Sequence, residues 1–368
     1  MALRTGARMR SYVLLNPGPV NVSPRVRDAL LRGDLCHREA EFSTLAQGVR
    51  RKLLGAFAPR GGYAAVPLTG SGTLAVEAMI SSALPADRKL LVINNGVYGE
   101  RMRRMAEAHG LAVTELRFAW TEPPDLGAVD DLLRRDPAIG AVALVHHETT
   151  TGLLNPVSRL GELTRSFGCS LLLDSVSGLG GESIDLPGDH VDVCACTANK
   201  CVQGLPGVAF VLARTSVLEA MCAYPRRSLY MHLPDHWRAH EQASVPFTPS
   251  VQAWYALDEA LEELLEEGVE ERVARYRRAA QVLREAFARM GLRFLLPPEW
   301  RSNSLTALYL PPGASYPDLH DRLKARGFVI YEGQGPLQAS IFRVANMGAL
   351  ALEDFRRFVV VLEEILAG

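Results

Sequence analysis

Between Lys89 and Arg214 the chain carries a series of short runs that are apolar from end to end: KLLVINN, AVALVHHE, CSLLLDSV, VDVCACTANK and GVAFVLAR. A strand with one face in water alternates apolar and polar residues, whereas a strand covered on both faces does not. Helix-length segments, such as residues 157–167, separate several of these runs. The pattern predicts an α/β fold, with a doubly wound, mostly parallel sheet and helices on both faces. Sheets of this kind place their ligands outside the carboxyl ends of the strands, so polar residues that close an apolar run are the ones to weigh.

The rest of the chain sets the frame around that sheet. At 368 residues it is long for one compact domain. After FTPSVQAWYALDEALEELLEEG, residues 247–268, the pattern shifts to shorter strands: residues 292–296, SLTALYL, GFVIYEG and ASIFRVANMG, with helices between them. A final helix over 351–366 carries Leu352, Phe355, Phe358, Val359, Leu362 and Leu366 as a packing stripe. The expected division is a leading segment 1–20 that reaches the site, a large domain 21–255, and a smaller α+β domain 256–368. The 40 basic and 41 acidic residues nearly cancel and form no long run of one sign, which speaks against nucleic acid as a partner. No stretch is apolar enough for a signal peptide or a membrane span, so the cytoplasm is the expected location and no membrane is expected as a partner. The six cysteines contain no CxxC pair and read as reduced thiols, with no metal expected.

Three features follow one another in order: Gly70-Ser71-Gly72-Thr73 opening a helix, Asp174 closing LLLD, and Lys200 after VDVCACTAN. Free N–H groups at a helix start favour an anion, and Ser71 and Thr73 add hydroxyls to a phosphate held there. The same residues also suit a plain strand-to-helix turn. Asp174, at a strand end, can keep a bound pyridine nitrogen protonated and so make the ring an electron sink; it can also serve as a helix N-cap. Lys200 follows an apolar stretch whose desolvation lowers an amine's pKa and frees it to form an imine or carry a proton. A lysine ending a strand can equally be a solvated terminus.

Together with NPGP at 16–19, GSGTLAVEA at 70–78, NNGVYGERM at 94–102, HHETTTGLLNP at 146–156, DSVSGLGG at 174–181 and TANKCVQGLPG at 197–207, these features resemble the class V aminotransferases from about Leu14 to the end. The resemblance implies fold type I, pyridoxal 5'-phosphate as cofactor, and a homodimer with active sites at its interface. It makes Lys200 the Schiff-base lysine and Asp174 the partner of the pyridine nitrogen. Ser71, Gly72 and Thr73 become the phosphate cup, joined by Thr197 and Asn199 beside the lysine. Tyr98 stacks on the ring, Thr149 reaches its phenolic oxygen, and Thr248 reaches the phosphate of the partner subunit. Substrate falls to Pro17 and Gly18 of NPGP, to His37 and Arg38, and to Arg343 in SIFRV, whose fork of donors suits a carboxylate.

Within the family, the PRRSLYMHLPDHW, FTPSVQA and FRVANMG segments are most similar to members acting on 2-aminoethylphosphonate and pyruvate. That implies an amine and a keto acid as substrates. Two departures stand out. Ala198 occupies a position where relatives often carry a small hydroxyl residue, leaving Thr197 to compensate. DLCHREAEF replaces a tryptophan-containing segment near the substrate entrance, where His37 and Arg38 supply positive charge or join a loop ion-pair network. The rival expectations are the same chemistry on alanine with glyoxylate or serine with pyruvate, a lyase on the same fold, or a binding protein that has kept the fold.

Overall fold

The computed structural model describes residues 11–367. Its main sheet has seven strands: β1 (Tyr63–Gly70), β2 (Lys89–Asn94), β3 (Ala112–Arg117), β4 (Ile139–Val145), β5 (Ser170–Asp174), β6 (Val193–Thr197) and β7 (Gly207–Arg214). Their order across the sheet is β1-β7-β6-β5-β4-β2-β3. Parallel pairing joins β6, β5, β4, β2 and β3, while β7 runs antiparallel to both β6 and β1. β7 is as apolar and as buried as its neighbours. An apolar run therefore reports cover on both faces but not strand direction. Direction is set by the connection: residues 198–206 are too few for the crossover that a parallel neighbour needs. Two strands lie outside the apolar runs of the sequence. β3 is an edge strand with no fully buried position, so its AVTELR carries polar residues, and β1 precedes the helix start at Gly72.

Helices cover both faces. On one side α1 (Ala40–Phe57) and a long helix at Val251–Glu267 meet edge to face through Phe42 and Trp254, 5.4 Å between ring centroids. On the other, α2 (Gly72–Ser82) and α3 (Val97–Ala108) pack Val76, Met79, Ile80 and Met102 against the sheet. α2 is buried nearly all round, which explains its lack of a polar stripe.

The helix at Val251–Glu267 runs through the expected division at 255/256, with Trp254, Leu257, Leu261 and Leu264 in the core of the large sheet. The change of core comes at Gly268, where this helix, α4 (Val251–Glu267), gives way to α5 (Val269–Arg289), whose Leu283 and Phe287 enter a separate core. We place the division there. The second core is built on a sheet of three strands, β8 (Leu305–Tyr309), β9 (Tyr331–Glu332) and β10 (Ile341–Ala345), and on the last helix, Leu352–Ala367. That helix buries Phe355, Phe358 and Leu362 but leaves Leu352 exposed.

Two expected strands differ. GFVIYEG splits at buried Ile330, so that Phe328–Val329 pairs with Val13–Leu14 and Tyr331–Glu332 pairs with β10. Residues 292–296 contribute only the bridge Phe294–Leu308. Of the leading segment, residues 1–10 lie outside the described part; from Val13 it is tied to the small domain and then turns through NPGP toward the sheet edge. Among the described residues no helix is long and apolar enough to cross a membrane. Leu257→Ala should lower unfolding stability by about 2–5 kcal/mol in urea titrations. Val360→Ala, on the exposed face of the last helix, should stay within about 0.5 kcal/mol.

Candidate active site

Because β1, β2, β4, β5 and β6 point the same way, the turns that follow them crowd one edge of the sheet. Lys200 stands on the turn after β6, and its amine donates to Ser177 Oγ at 3.1 Å, on the turn after β5. Burial lowers the amine's pKa to about 8, and Asp174 partly offsets this. Asp174, at the end of β5, is buried; desolvation pushes its carboxyl up to about 6 although Val176 N–H donates to Oδ1 at 3.0 Å. That bond is a local turn two residues on, so Asp174 does not cap a helix. Gly18 of NPGP lies against the lysine shaft, where a Cβ would come 3.1 Å from Lys200 Cε, and buried Pro17 precedes it.

The helix start lies beside the same turns. A Cβ on Gly72 would sit 2.8 Å from Val176 Cγ1 and 3.2 Å from Thr197 Cβ, so only glycine lets α2 approach this closely. Ser71 is its N-cap residue but makes no capping bond with its side chain, which leaves an exposed hydroxyl beside N–H groups that have no partner within the helix. Thr197 Oγ1 donates to Asn199 Oδ1 at 2.7 Å. Ala198 instead packs toward Gly204, so Thr197 is the residue that faces the helix start. Thr73 Oγ1 accepts from Arg101 at 3.4 Å, and the Arg101 guanidinium lies 4.8 Å from the centroid of half-buried Tyr98.

Glu148 ties the turns after β2 and β4 together. Its Oε2 accepts from Tyr98 N–H at 3.2 Å, and its Oε1 accepts from the N–H and hydroxyl of Thr150 at 3.0 and 2.6 Å. A Cβ on Gly96 would overlap the Glu148 carboxyl. Burial raises this carboxyl to about 7. Next to it, the Thr149 carbonyl accepts from Arg343 Nη1 at 2.7 Å. Arg343, on β10, also donates from Nε to Glu332 O at 2.8 Å and from Nη1 to Gln334 Oε1 at 3.3 Å. Half of the expected fork is therefore occupied by the protein itself. The buried atoms Arg343 Nη2, Thr149 Oγ1 and His147 Nε2 have no partner.

A match to the family model described as aminotransferase class-V spans residues 34–349. The chain belongs to the class V aminotransferases. It is 39% identical over 353 residues to the 2-aminoethylphosphonate–pyruvate transaminase of Syntrophobacter fumaroxidans, covering 95% of this chain and 94% of that protein. The enzyme of the same description from Aeromonas hydrophila is 39% identical over 360 residues, covering 95% and 94%. The crystal structure of the alanine–glyoxylate aminotransferase of Nostoc sp. superposes with a TM-score of 0.92 at 27% identity, covering 100% of this chain and 98% of that one. Family membership implies pyridoxal phosphate, and the fold is that of the fold type I aminotransferases.

Most of the residues singled out in the sequence thus share one sheet edge in this aminotransferase; three do not join that cluster within a single chain. His37 is half-buried and Arg38 exposed; among the described residues neither enters an ion pair, so the loop ion-pair network does not form. Thr248 is exposed beside Phe247, whose ring packs 4.8 Å from that of Tyr230. Sequence reasoning passed over Ser177, Glu148 and His147. Glu148 ends an apolar run just as Asp174 does, so the same signal was available for it; Ser177 carried none.

Glu182, behind the lysine turn, is fully buried and held up at about 8 by desolvation, while Oε1 accepts from Asn303 N–H at 2.7 Å. With its folded pKa above the unfolded value of 4.5, its protonation favours folding below that value and the contribution disappears as pH rises toward 8. Glu182→Gln removes this dependence. Urea midpoints of the cofactor-free protein should differ little at pH 5 and increasingly favour the variant by pH 8; a constant difference would contradict the buried neutral acid.

Proposed function

We propose that this aminotransferase moves an amino group between 2-aminoethylphosphonate and pyruvate, giving phosphonoacetaldehyde and L-alanine. The observation that carries this reading is the match, along nearly the whole chain, to relatives named for that reaction.

The residues at the sheet edge suit pyridoxal phosphate, because buried polar atoms there lack partners and the helix start offers free N–H groups. When bound, that cofactor supplies an electron-poor ring able to stabilise negative charge on the carbon next to nitrogen. Ser71, Gly72 and Thr73 would hold its phosphate, with Thr197 and Asn199 closing the cup. Asp174, buried and pushed toward neutrality by itself, would keep its charge once a protonated ring nitrogen lies against it. Tyr98 would cover a ring face and Thr149 Oγ1 would meet the phenolic oxygen.

Lys200 is the base. A pKa of about 8 leaves a useful fraction of neutral amine near pH 7–8, so Nζ can take a proton from the amine-bearing carbon and return one farther along. Arg343 would grip the substrate's acid group through Nη2, while Pro17 and Gly18 confine the lysine side. His37 and Arg38 would supply the charge that a doubly ionised phosphonate needs. Thr248 would act in a second copy of the chain; the exposed Tyr230, whose ring packs against Phe247 beside it, and the exposed Leu229 support a homodimer with shared sites.

Adding 2-aminoethylphosphonate to the cofactor-loaded protein should bleach its yellow absorbance, and pyruvate should restore it. A response to alanine or serine alone would keep the transaminase and discard the phosphonate. Arg343→Gln should lower kcat/KM for both acids by roughly 10- to 100-fold, the loss of a hydrogen bond to a charged group; an unchanged value would remove Arg343 from substrate binding.

A further inference from the structure

Ser177 is the residue that the amine of Lys200 touches. The 3.1 Å bond to Ser177 Oγ is its hydrogen bond among the described residues, and Ser177 is 7% exposed. The turn that carries Ser177 is held from several sides. Its carbonyl accepts from Cys201 Sγ at 3.5 Å and lies 3.4 Å from His147 Nδ1, while Gly178 and Leu179 N–H groups close the turn onto Ser175 O at 3.1 and 3.0 Å. The hydroxyl is therefore placed by the main chain and free only to rotate.

That freedom matches what a proton-carrying amine requires. An ammonium can only donate, whereas a neutral amine also presents a lone pair; a hydroxyl both donates and accepts. A carboxylate in the same place would hold the proton on nitrogen, and a carbonyl could never donate to the neutral form. The other titratable groups that act on the amine are Asp174, Glu148, Cys201, His147 and Arg343. Burial keeps Cys201 a thiol, with its pKa near 12, and His147 neutral, with its pKa near 3.

We propose that Ser177 is a further catalytic residue, whose hydroxyl receives the Lys200 amine whenever it is free and follows it through both protonation states. The role rests on Lys200 being the reacting amine. In each half-reaction Lys200 Nζ takes one proton from the amine-bearing carbon and becomes ammonium. It then releases one proton to the carbon on the far side of that nitrogen and is neutral again. Ser177 keeps its own proton throughout, accepting from the ammonium and donating to the lone pair of the neutral amine.

The test compares Ser177→Ala and Ser177→Thr with the unmodified chain, using whichever amine donor the unmodified protein accepts. Borohydride reduction of the loaded protein and peptide mapping first locate the lysine that bears the cofactor. The Lys200 amine is then titrated in cofactor-free protein by NMR of labelled lysine, with Lys200→Arg identifying its signal. Ser177→Ala should retain cofactor affinity and KM but lose about 10- to 100-fold in kcat. It should also raise the isotope effect of a donor deuterated on the reacting carbon, and lower the titration midpoint because the buried ammonium loses an acceptor. Threonine, which keeps the hydroxyl, should recover most of the rate. An alanine variant with unchanged kcat, or one that is slow with both isotope effect and midpoint unmoved, would overturn the role of Ser177. Mapping to a lysine other than Lys200 in the unmodified protein would instead overturn the reading on which the role rests.

Discussion

Strand direction is the constraint on which the site depends. Five strands that point one way deliver Ser71, Tyr98, Thr149, Asp174 and Lys200 to a single edge, although these residues are spread over more than a third of the chain. The one reversed strand, β7, serves the same end. Because only residues 198–206 connect it to β6, that loop must turn tightly over the edge, and Lys200 rides on the turn. A longer connection would permit a parallel neighbour and carry the lysine away over a face of the sheet. Placement of the amine is thus a consequence of loop length before it is a consequence of any side-chain contact.

Desolvation then decides the chemistry of the groups collected there. Lys200 is lowered to about 8, Asp174 and Glu148 are raised to about 6 and 7, and His146 and His147 are lowered to about 4 and 3. Every shift disfavours charge, as burial without a counter-ion demands. The unpartnered atoms Thr149 Oγ1 and Arg343 Nη2 belong to the same pattern, since buried polar groups are normally satisfied. Left open beside the Lys200 turn, such groups suit a ligand with polar groups of its own.

The sequence exposed what depends on local pattern and hid what depends on pairing across distance. Apolar runs disclosed five of the seven strands of the main sheet, the aspartate of LLLD and the lysine of TANK stood where runs end, and the glycines of GSGT marked a helix start, while the covered strand β1 before them went unread. The direction of β7 was hidden because burial is blind to it. The change of core after α4 was hidden because α4 looks equally amphipathic whichever core it covers. Ser177 carried no local signal, because the partner that gives it meaning, Lys200, lies 23 residues away in sequence; Glu148 stood at the end of an apolar run, but its bond to Tyr98, 50 residues away, was not legible there. Gly96 and Gly72 show the same limit, because the neighbours that exclude a Cβ come from other strands.

What joins the two domains at the site is a clasp on the lysine turn. Gln203 closes that turn with a φ of +66°, a left-handed conformation costing about 1 kcal/mol or more for a residue with a Cβ. Its Nε2 donates to Tyr276 Oη at 2.6 Å and to Gly348 O at 2.9 Å, while Gly348 N–H donates back to Tyr276 Oη at 3.1 Å. Arg272, from the same helix α5, donates to the carbonyls of Cys201 and Val202 at 3.3 and 3.4 Å. Gly348 follows β10 by a few residues, and β10 carries Arg343. The amine of Lys200 and the guanidinium of Arg343 are therefore referenced to one tyrosine. Any rotation of the small domain that shifted Arg343 would also pull on the turn of Lys200, and the strain held at Gln203 persists because buried bonds from both domains fix it.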